Sequence, residues 1–250
     1  MAVTCATGGE ELIAMTERCI KGMRDSEPED DVVQMSCVWQ GTDRKVKDWQ
    51  ALHSYRPKNV GFAYGMNLAI DLGVKYYGEP DWVLCFNSDL EYPHEGWLEN
   101  LMVIARKSSN RILVPATDST AIRVQPRAID KPSFPVEEMS AYCWLVPFKW
   151  CQFLKQRYGF WLFDEDFAPA YGEDNWTAYL FAKEFGAKPF RYVPRSFVKH
   201  LRARTSRTVK HDRKASSALL VKKLKHELET YTLSAHLKLR AKNLIKVLTP

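Results

Sequence analysis

Trp82-Val83-Leu84-Cys85-Phe86-Asn87-Ser88-Asp89 is the stretch from which the rest of the chain can be read. Trp82 to Phe86 is a continuous apolar run, as in a strand buried on both faces of a parallel sheet. Ligands of such sheets bind beyond the carboxyl ends of the strands, so Asn87, Ser88 and Asp89 fall where chemistry is expected. A carboxylate at that point can hold a divalent cation against a diphosphate, because Mg²⁺ and Mn²⁺ take hard oxygen ligands. Taken alone, the three residues also read as an ordinary Asx turn.

Outward from this strand the segments alternate. On the N-terminal side, Ala2 to Thr7 is a short β-prone run ending at Gly8-Gly9. Glu10 to Arg24 carries Leu12, Ile13, Met15, Cys19, Ile20 and Met23 at helical spacing. Asp25 to Asp31 is an acidic loop containing Pro28, Val32 to Trp39 is a second strand, and Gly41-Thr42-Asp43 turns out of it. Val60 to Tyr76 reads as a turn and a helix. On the C-terminal side, Gly96 to Ala105 reads as a helix and Arg111 to Pro115 as a strand. This order predicts an α/β fold with a mostly parallel central sheet flanked by helices.

The character changes near residue 200. Residues 201–250 hold 13 Lys or Arg and 3 Asp or Glu, a net of +10, whereas the other 200 residues hold 23 basic and 27 acidic residues, a net of −4. Leu220, Leu224, Leu228 and Tyr231 recur at helical spacing, and a second amphipathic piece runs from about Ala235 to Leu248. We therefore divide the chain into a catalytic-type domain over 1–205 and a basic helical C-terminal extension over 206–250.

Bulk composition narrows the class. At 46% apolar residues, the 250-residue chain can bury a sizeable core. It has no run of 18 or more apolar residues to span a membrane, and its start lacks the basic and apolar regions of a signal peptide. The expected location is the cytoplasm, or the host cytoplasm for a phage-encoded chain. Six cysteines lie at 5, 19, 37, 85, 143 and 151, none in C-x-x-C spacing, so they read as buried thiols rather than as zinc ligands or a redox pair.

Three further segments could carry chemistry. Phe163-Asp164-Glu165-Asp166-Phe167 and Tyr171-Gly172-Glu173-Asp174-Asn175-Trp176 set carboxylates among aromatic rings. A carboxylate whose pKa is raised in such surroundings can act as a general base. Glu173 and Asp174 could equally cap a helix running from about Asn175 to Phe185. Val193-Pro194-Arg195-Ser196-Phe197-Val198-Lys199-His200 ends in a histidine, which gains weight as a Mn²⁺ ligand only if the fold brings it to Asp89. Lys58-Asn59-Val60-Gly61-Phe62-Ala63-Tyr64-Gly65-Met66-Asn67 is a glycine-bearing helix start that can face an anion, although its spacing is not the dinucleotide fingerprint.

In this order the segments resemble glycosyltransferase family 2, whose members have the GT-A fold. The resemblance covers roughly residues 1–205 and rests on the ordered set: Asn59 to Asn67; the strand ending in Asn87-Ser88-Asp89; the turn and helix start Tyr92-Pro93-His94-Glu95-Gly96-Trp97-Leu98; Asp164-Glu165-Asp166-Phe167; Gly172-Glu173-Asp174; and Pro194, Ser196 and His200. The resemblance implies an inverting glycosyltransferase using a nucleotide-sugar donor and Mn²⁺ or Mg²⁺. It makes Asp89 and His200 metal ligands, and Asp174, or second to it Glu173, the base for the acceptor hydroxyl. It places Asn59, Gly61, Asn67, Asn87 and Ser88 on the donor side, with Thr7 and Asp43 at the two strand ends where the nucleotide binds. Three stretches depart from the family pattern. They are Ala6-Thr7-Gly8-Gly9, Val38-Trp39-Gln40-Gly41-Thr42-Asp43, and Asn175-Trp176 after Gly-Glu-Asp.

The basic extension admits three readings: a helical lid with solvated charges, a phosphate-tracking surface, or a dock for anionic lipid. Arg202, Arg204, Arg207 and Lys210, with Arg213 and Lys214, favour nucleic acid over membrane. A soluble transferase with this tail resembles the phage-type enzymes that glycosylate a hydroxylated base in DNA. The alternatives are a transferase acting on a lipid-linked or cell-surface saccharide, and a non-catalytic nucleic-acid-binding protein on a transferase scaffold. A nucleotidyltransferase ranks lower, because Glu10-Glu11 after Gly8-Gly9 would repel a triphosphate.

Overall fold

The computed structural model describes residues 1–7, 9–27, 33–42, 51–107, 110–118, 132–137, 139–168, 171–201, 213–231 and 233–248. Within them the chain runs β1 (Ala2–Thr7), α1 (Glu10–Asp25), β2 (Met35–Gln40), β3 (Ala51–Arg56), α2 (Phe62–Tyr77), β4 (Trp82–Phe86), β5 (Leu90–Glu91), α3 (Trp97–Lys107) and β6 (Ile112–Thr117). It continues with β7 (Phe134–Val136), β8 (Cys143–Pro147), α4 (Phe148–Tyr158), α5 (Glu173–Phe185), β9 (Phe190–His200), α6 (Arg213–Thr230) and α7 (Ala235–Leu248). Of the site residues expected from sequence, Asp43, Arg202, Arg204, Arg207 and Lys210 lie outside the described residues.

The sheet order is β3-β2-β1-β4-β8-β6-β9-β5, with β7 pairing to β9. Strands β3, β2, β1 and β4 are parallel, as are β6 and β9; β8 enters antiparallel between β4 and β6, and β5 and β7 add short antiparallel pairings to β9. Parallel strands need crossover helices on the sheet faces, and α1 and α2 supply them here. Leu12, Ile13, Met15, Cys19, Ile20 and Met23 of α1 are all buried, as the periodicity predicts. Strands β1, β2, β4 and β8 contribute a continuous apolar core to which Trp39, Phe86, Trp144 and Phe163 belong. All six cysteines are free and buried, and desolvation pushes their thiols above the ordinary range, so they serve as packing groups.

Two glycines let α2 come close to the sheet. At Gly65 an added Cβ would stand 2.5 Å from Gln40 Nε2 and 2.8 Å from Cys5 Cβ, so only glycine lets the helix lie this near β1 and β2. Gly61 starts the helix at φ 104, a left-handed value open to glycine without strain.

The C-terminal helices share the core with the rest of the chain. Leu220 and Leu224 of α6 and Leu237 and Ala241 of α7 are buried in the same hydrophobic cluster as the sheet. An ion pair from half-buried Lys183 Nζ to buried Glu227 Oε2 at 2.8 Å ties α5 to α6, and Lys183 also lies 4.1 Å from the centre of the Tyr231 ring.

Candidate functional site

One edge of the sheet collects the candidate residues. The parallel register pairs Thr7 with Gln40, so β1 and β2 end side by side. Strand β4 ends there at Phe86, and antiparallel β8 begins there, because Phe86 pairs with Cys143. On the far side, β6 and β9 end together, with Thr117 beside Val198. The segments beyond these ends are therefore brought together by topology: Asn87 to Asp89, Ala141-Tyr142, Asp118, and His200.

Asp89 and His200 meet. Asp89 is buried, and its Oδ1 lies 3.2 Å from His200 Nε2. The pairing of β5 with the end of β9 sets this approach, with Leu90 opposite His200 and the Leu201 N–H donating to the Asp89 carbonyl at 3.0 Å. The Tyr142 ring stacks on the imidazole at 5.7 Å between centroids, and Asp118 Oδ1 accepts the backbone N–H of His200 at 3.1 Å. Asn87 Nδ2 lies 3.3 Å from the same Nε2. One tautomer cannot serve both neighbours, since Nε2 would have to accept from Asn87 and donate to Asp89. A divalent cation shared by Nε2 and Oδ1 would satisfy both lone pairs. Two ligands at about 2.1–2.2 Å from one ion at right angles stand about 3 Å apart, close to the observed separation. The residues thus fit a divalent ion. Among the described residues no group of three His, Cys, Asp or Glu could hold a metal. The protein would supply two ligands and leave the remaining positions to phosphate oxygens and water.

Glu173 and Asp174 open α5 and sit in its first turn. The sequence reading starts this helix at Asn175; the structure starts it two residues earlier, with Gly172 in a left-handed conformation (φ 93) as its N-cap. Tyr171 just before it has φ 80, the sole positive φ at a non-glycine residue among those described. Strain of this kind persists where surrounding contacts enforce it, often beside functional groups. Here Arg213 holds the tyrosine, its guanidinium 4.7 Å over the ring and Nη2 3.2 Å from the hydroxyl.

Burial raises both carboxyl pKa values. Glu173 is pushed up to about 8, first by desolvation and then by the neighbouring Asp174 charge, and its Oε2 is buried without a hydrogen-bond partner. Asp174 is also raised by desolvation, against which the backbone N–H groups of Asn175, at 2.8 Å, and of Ala141 favour its anion. Desolvation thus favours the neutral form of both carboxyls, and Glu173 keeps its proton near neutral pH. Ala141-Tyr142 joins the two halves of the site. Ala141 donates to Asp174, while the Tyr142 carbonyl accepts from the Asn87 N–H at 2.8 Å and its ring covers His200.

The donor-side residues behave unequally. Asn59 Oδ1 accepts the Gly61 N–H at 2.9 Å, shaping the turn into α2. Buried Gln40 fixes that turn to the end of β2, accepting from Val60 N at 2.8 Å and donating to the Gly61 carbonyl at 3.1 Å. Asn67 uses its whole amide within the protein. Its Oδ1 accepts from Leu162 N and Phe163 N at 2.9 and 3.2 Å, and its Nδ2 donates to the Phe163 carbonyl and Glu165 Oε1 at 2.7 and 2.9 Å. It acts on the site by holding the Leu162–Glu165 segment. Ser88 is buried between Asn87 and Asp89, and Thr7 stands at the end of β1.

Four residues of this region escape sequence reasoning: Gln40, Asp118, Tyr142 and Lys223. Lys223 of α6 places Nζ 2.9 Å from both Asp164 Oδ2 and Asp166 Oδ2, close to the rings of Phe167 and Trp176. No local motif marks any of the four, because each acts through a partner at least 20 residues away in sequence.

No protein-family model matches the chain, and no curated protein matches it in sequence. Solved structures do match in shape. S. aureus TarS (residues 1–349, in complex with UDP-GlcNAc) superposes with a TM-score of 0.68 at 10% identity, over 98% of this chain and 71% of that one. The fold is GT-A-like. The mannosyltransferase PcManGT from Pyrobaculum calidifontis, in complex with GDP-Man and Mn²⁺, matches with a TM-score of 0.61 at 11% identity, over 98% of this chain and 69% of that one. GalNAc-T7 with UDP, GalNAc and Mn²⁺ matches with a TM-score of 0.58 at 11% identity, over 80% of this chain and 43% of that one. The α/β expectation is met by this GT-A-like sheet flanked by helices.

Proposed function

We propose that this chain is a metal-dependent, inverting glycosyltransferase that moves a sugar from a nucleoside-diphosphate donor to an acceptor hydroxyl, and that the acceptor is a hydroxylated base in DNA. The observation that carries the reading is the pairing of Asp89 with His200 at 3.2 Å on the same sheet edge as Asp174. Neighbours of the same fold that hold UDP-GlcNAc, or GDP-Man with Mn²⁺, support the donor class.

In this reading Asp89 and His200 would hold the cation, which would supply positive charge against the leaving diphosphate. Asp174, whose anion the backbone N–H groups of Asn175 and Ala141 favour, takes the acceptor proton as the oxygen attacks the anomeric carbon. The diphosphate leaves with the bonding electrons on the opposite face. Glu173, its carboxyl pushed up to about 8, keeps its own proton near neutral pH. A single base in line with the leaving group is the arrangement for inversion. The net charge of +10 over residues 201–250 supports a polyanionic acceptor. A base inside a duplex would have to be flipped out, or presented in a single strand.

A thermal-shift screen with UDP-, GDP-, dTDP- and CMP-sugars, with and without Mn²⁺, tests the donor site. A ligand at about 100 times its Kd stabilises by about 2.7 kcal/mol, or about 5–10 °C for a chain of this size. One nucleotide should stabilise the protein only with Mn²⁺, and Asp89→Ala should remove the effect. If no nucleotide shifts the melting temperature with or without metal, the donor-site assignment is wrong.

A further inference from the structure

The two C-terminal helices leave one strongly cationic face unused by the fold. Helix α7 contains no acidic residue, and turns Leu237, Arg240 and Ala241 inward. Its outward face carries Lys238, Lys242 and Lys246, all exposed. None of the three makes an ion pair with a described residue. Lys222 and Lys225 of α6 are exposed as well, against one exposed acid on that helix, Glu229. Like charges held on a rigid scaffold without counter-charges raise the local potential and call for an anionic partner.

The spacing suits a phosphate backbone. Lysines at i, i+4 and i+8 lie on one side of a helix, about 6 Å apart along its axis, and span about 12 Å. One strand of a duplex offers a phosphate about every 3.4 Å of helix axis, so that span faces about three or four of them. A bilayer fits less well. A helix that lies in a membrane interface buries a broad apolar face in it. In α7 the apolar stripe is already packed on the protein, with Leu244 and Leu248 joining Leu237 and Ala241 against the core. The exposed aliphatics Leu239 and Val247 stand eight residues apart.

Position adds to the argument. Helix α7 packs against α5, which opens with Glu173 and Asp174. Helix α6 begins at Arg213, stacked on Tyr171 just before that pair. Helix α6 therefore borders the acid end of the candidate site, and α7 packs beside α6. We propose that the outward face of α7, through Lys238, Lys242 and Lys246, docks the phosphate backbone of double-stranded DNA. As a delivery surface for the acceptor it rests on the transferase reading above, whereas the binding itself does not.

The full chain, unmodified and as the triple variant Lys238→Ala, Lys242→Ala, Lys246→Ala, would be titrated against labelled duplex DNA of arbitrary sequence from about 50 to about 200 mM salt. Each phosphate contact contributes about 0.9 to the slope of log K against log salt, so the triple variant should lose about 2.7 from that slope. The affinity drop across the range should shrink by about 40-fold, with the melting temperature unchanged. An unchanged slope, or no binding by the unmodified chain at about 50 mM salt, overturns the proposal. Flotation with phosphatidylserine vesicles and no retention on DNA also overturns it and assigns the face to lipid. A nucleotide-sugar thermal shift run in parallel separates the two ideas. A shift without DNA binding sinks the docking face and the DNA acceptor but leaves the donor site standing, and DNA binding without a shift sinks the transferase reading alone.

Discussion

Replacing Glu173 with glutamine should change how the stability of this chain depends on pH. The carboxyl is buried, one oxygen has no hydrogen-bond partner, and Asp174 follows it in the chain. These surroundings push its pKa from 4.5 up to about 8. Between those values the folded chain holds a proton that the unfolded chain has released, so stability falls as pH rises. The contribution is complete below about 4.5 and is gone once the pH passes about 8. A gap of about 3.5 pH units, at about 1.4 kcal/mol each, makes the change on the order of 5 kcal/mol. Glutamine keeps the shape and cannot titrate. Urea unfolding of both proteins at intervals from pH 5 to pH 9 would measure the difference directly. The Glu173→Gln protein should gain on the unmodified one as pH rises, most steeply below about 8. Parallel stability curves would refute the reasoning, because they would mean that the folded chain leaves Glu173 ionised.

Further outcomes follow from the same geometry. Asp174→Asn should lower transfer by about 10²–10⁴-fold while leaving the metal-dependent nucleotide thermal shift in place, as expected for loss of a general base; loss of the shift as well would move Asp174 to the donor side. Gly65→Ala should cost about 1–3 kcal/mol in denaturant unfolding, since the new methyl meets Gln40 and Cys5, and a neutral result would mean that α2 can back away from the sheet. Leu224→Ala, at a fully buried position of α6, should cost about 2–5 kcal/mol in the single unfolding transition of the whole chain. A separate, early transition for the C-terminal helices would count against the shared core.

Legibility in the sequence followed local pattern. Trp82 to Phe86 is a strand at the residues expected because five apolar residues bounded by turn formers leave little choice of register. Helices α1 and α2 show in the spacing of their buried positions. Strand β3 did not show, because Ala51–Arg56 is a half-buried edge strand that mixes His, Ser and Arg with apolar residues. Strand β8 was hidden in the apolar stretch from Ala141 to Trp150, where a strand runs straight into a helix and periodicity separates neither. That omission matters for the site, since β8 brings in Ala141 and Tyr142.

The sequence by itself determined which groups are available: carboxylates after β4 and at the start of α5, a histidine at the end of β9, and positive charge gathered in the last fifty residues. It determined the α/β pattern too, since burial periodicity is a local property of the chain. Only the tertiary structure decided that Asp89 and His200, 111 positions apart, stand 3.2 Å from one another. It alone decided that burial raises the pKa of both Glu173 and Asp174, that Asn67 is used up in holding the Leu162–Glu165 segment, and that Lys223 reaches the Asp164–Asp166 acids. The physical reason is common to these results. Proximity, desolvation and the filling of hydrogen-bonding capacity depend on what other elements bring to a residue, and strand order sets that meeting without leaving a trace in the sequence near it.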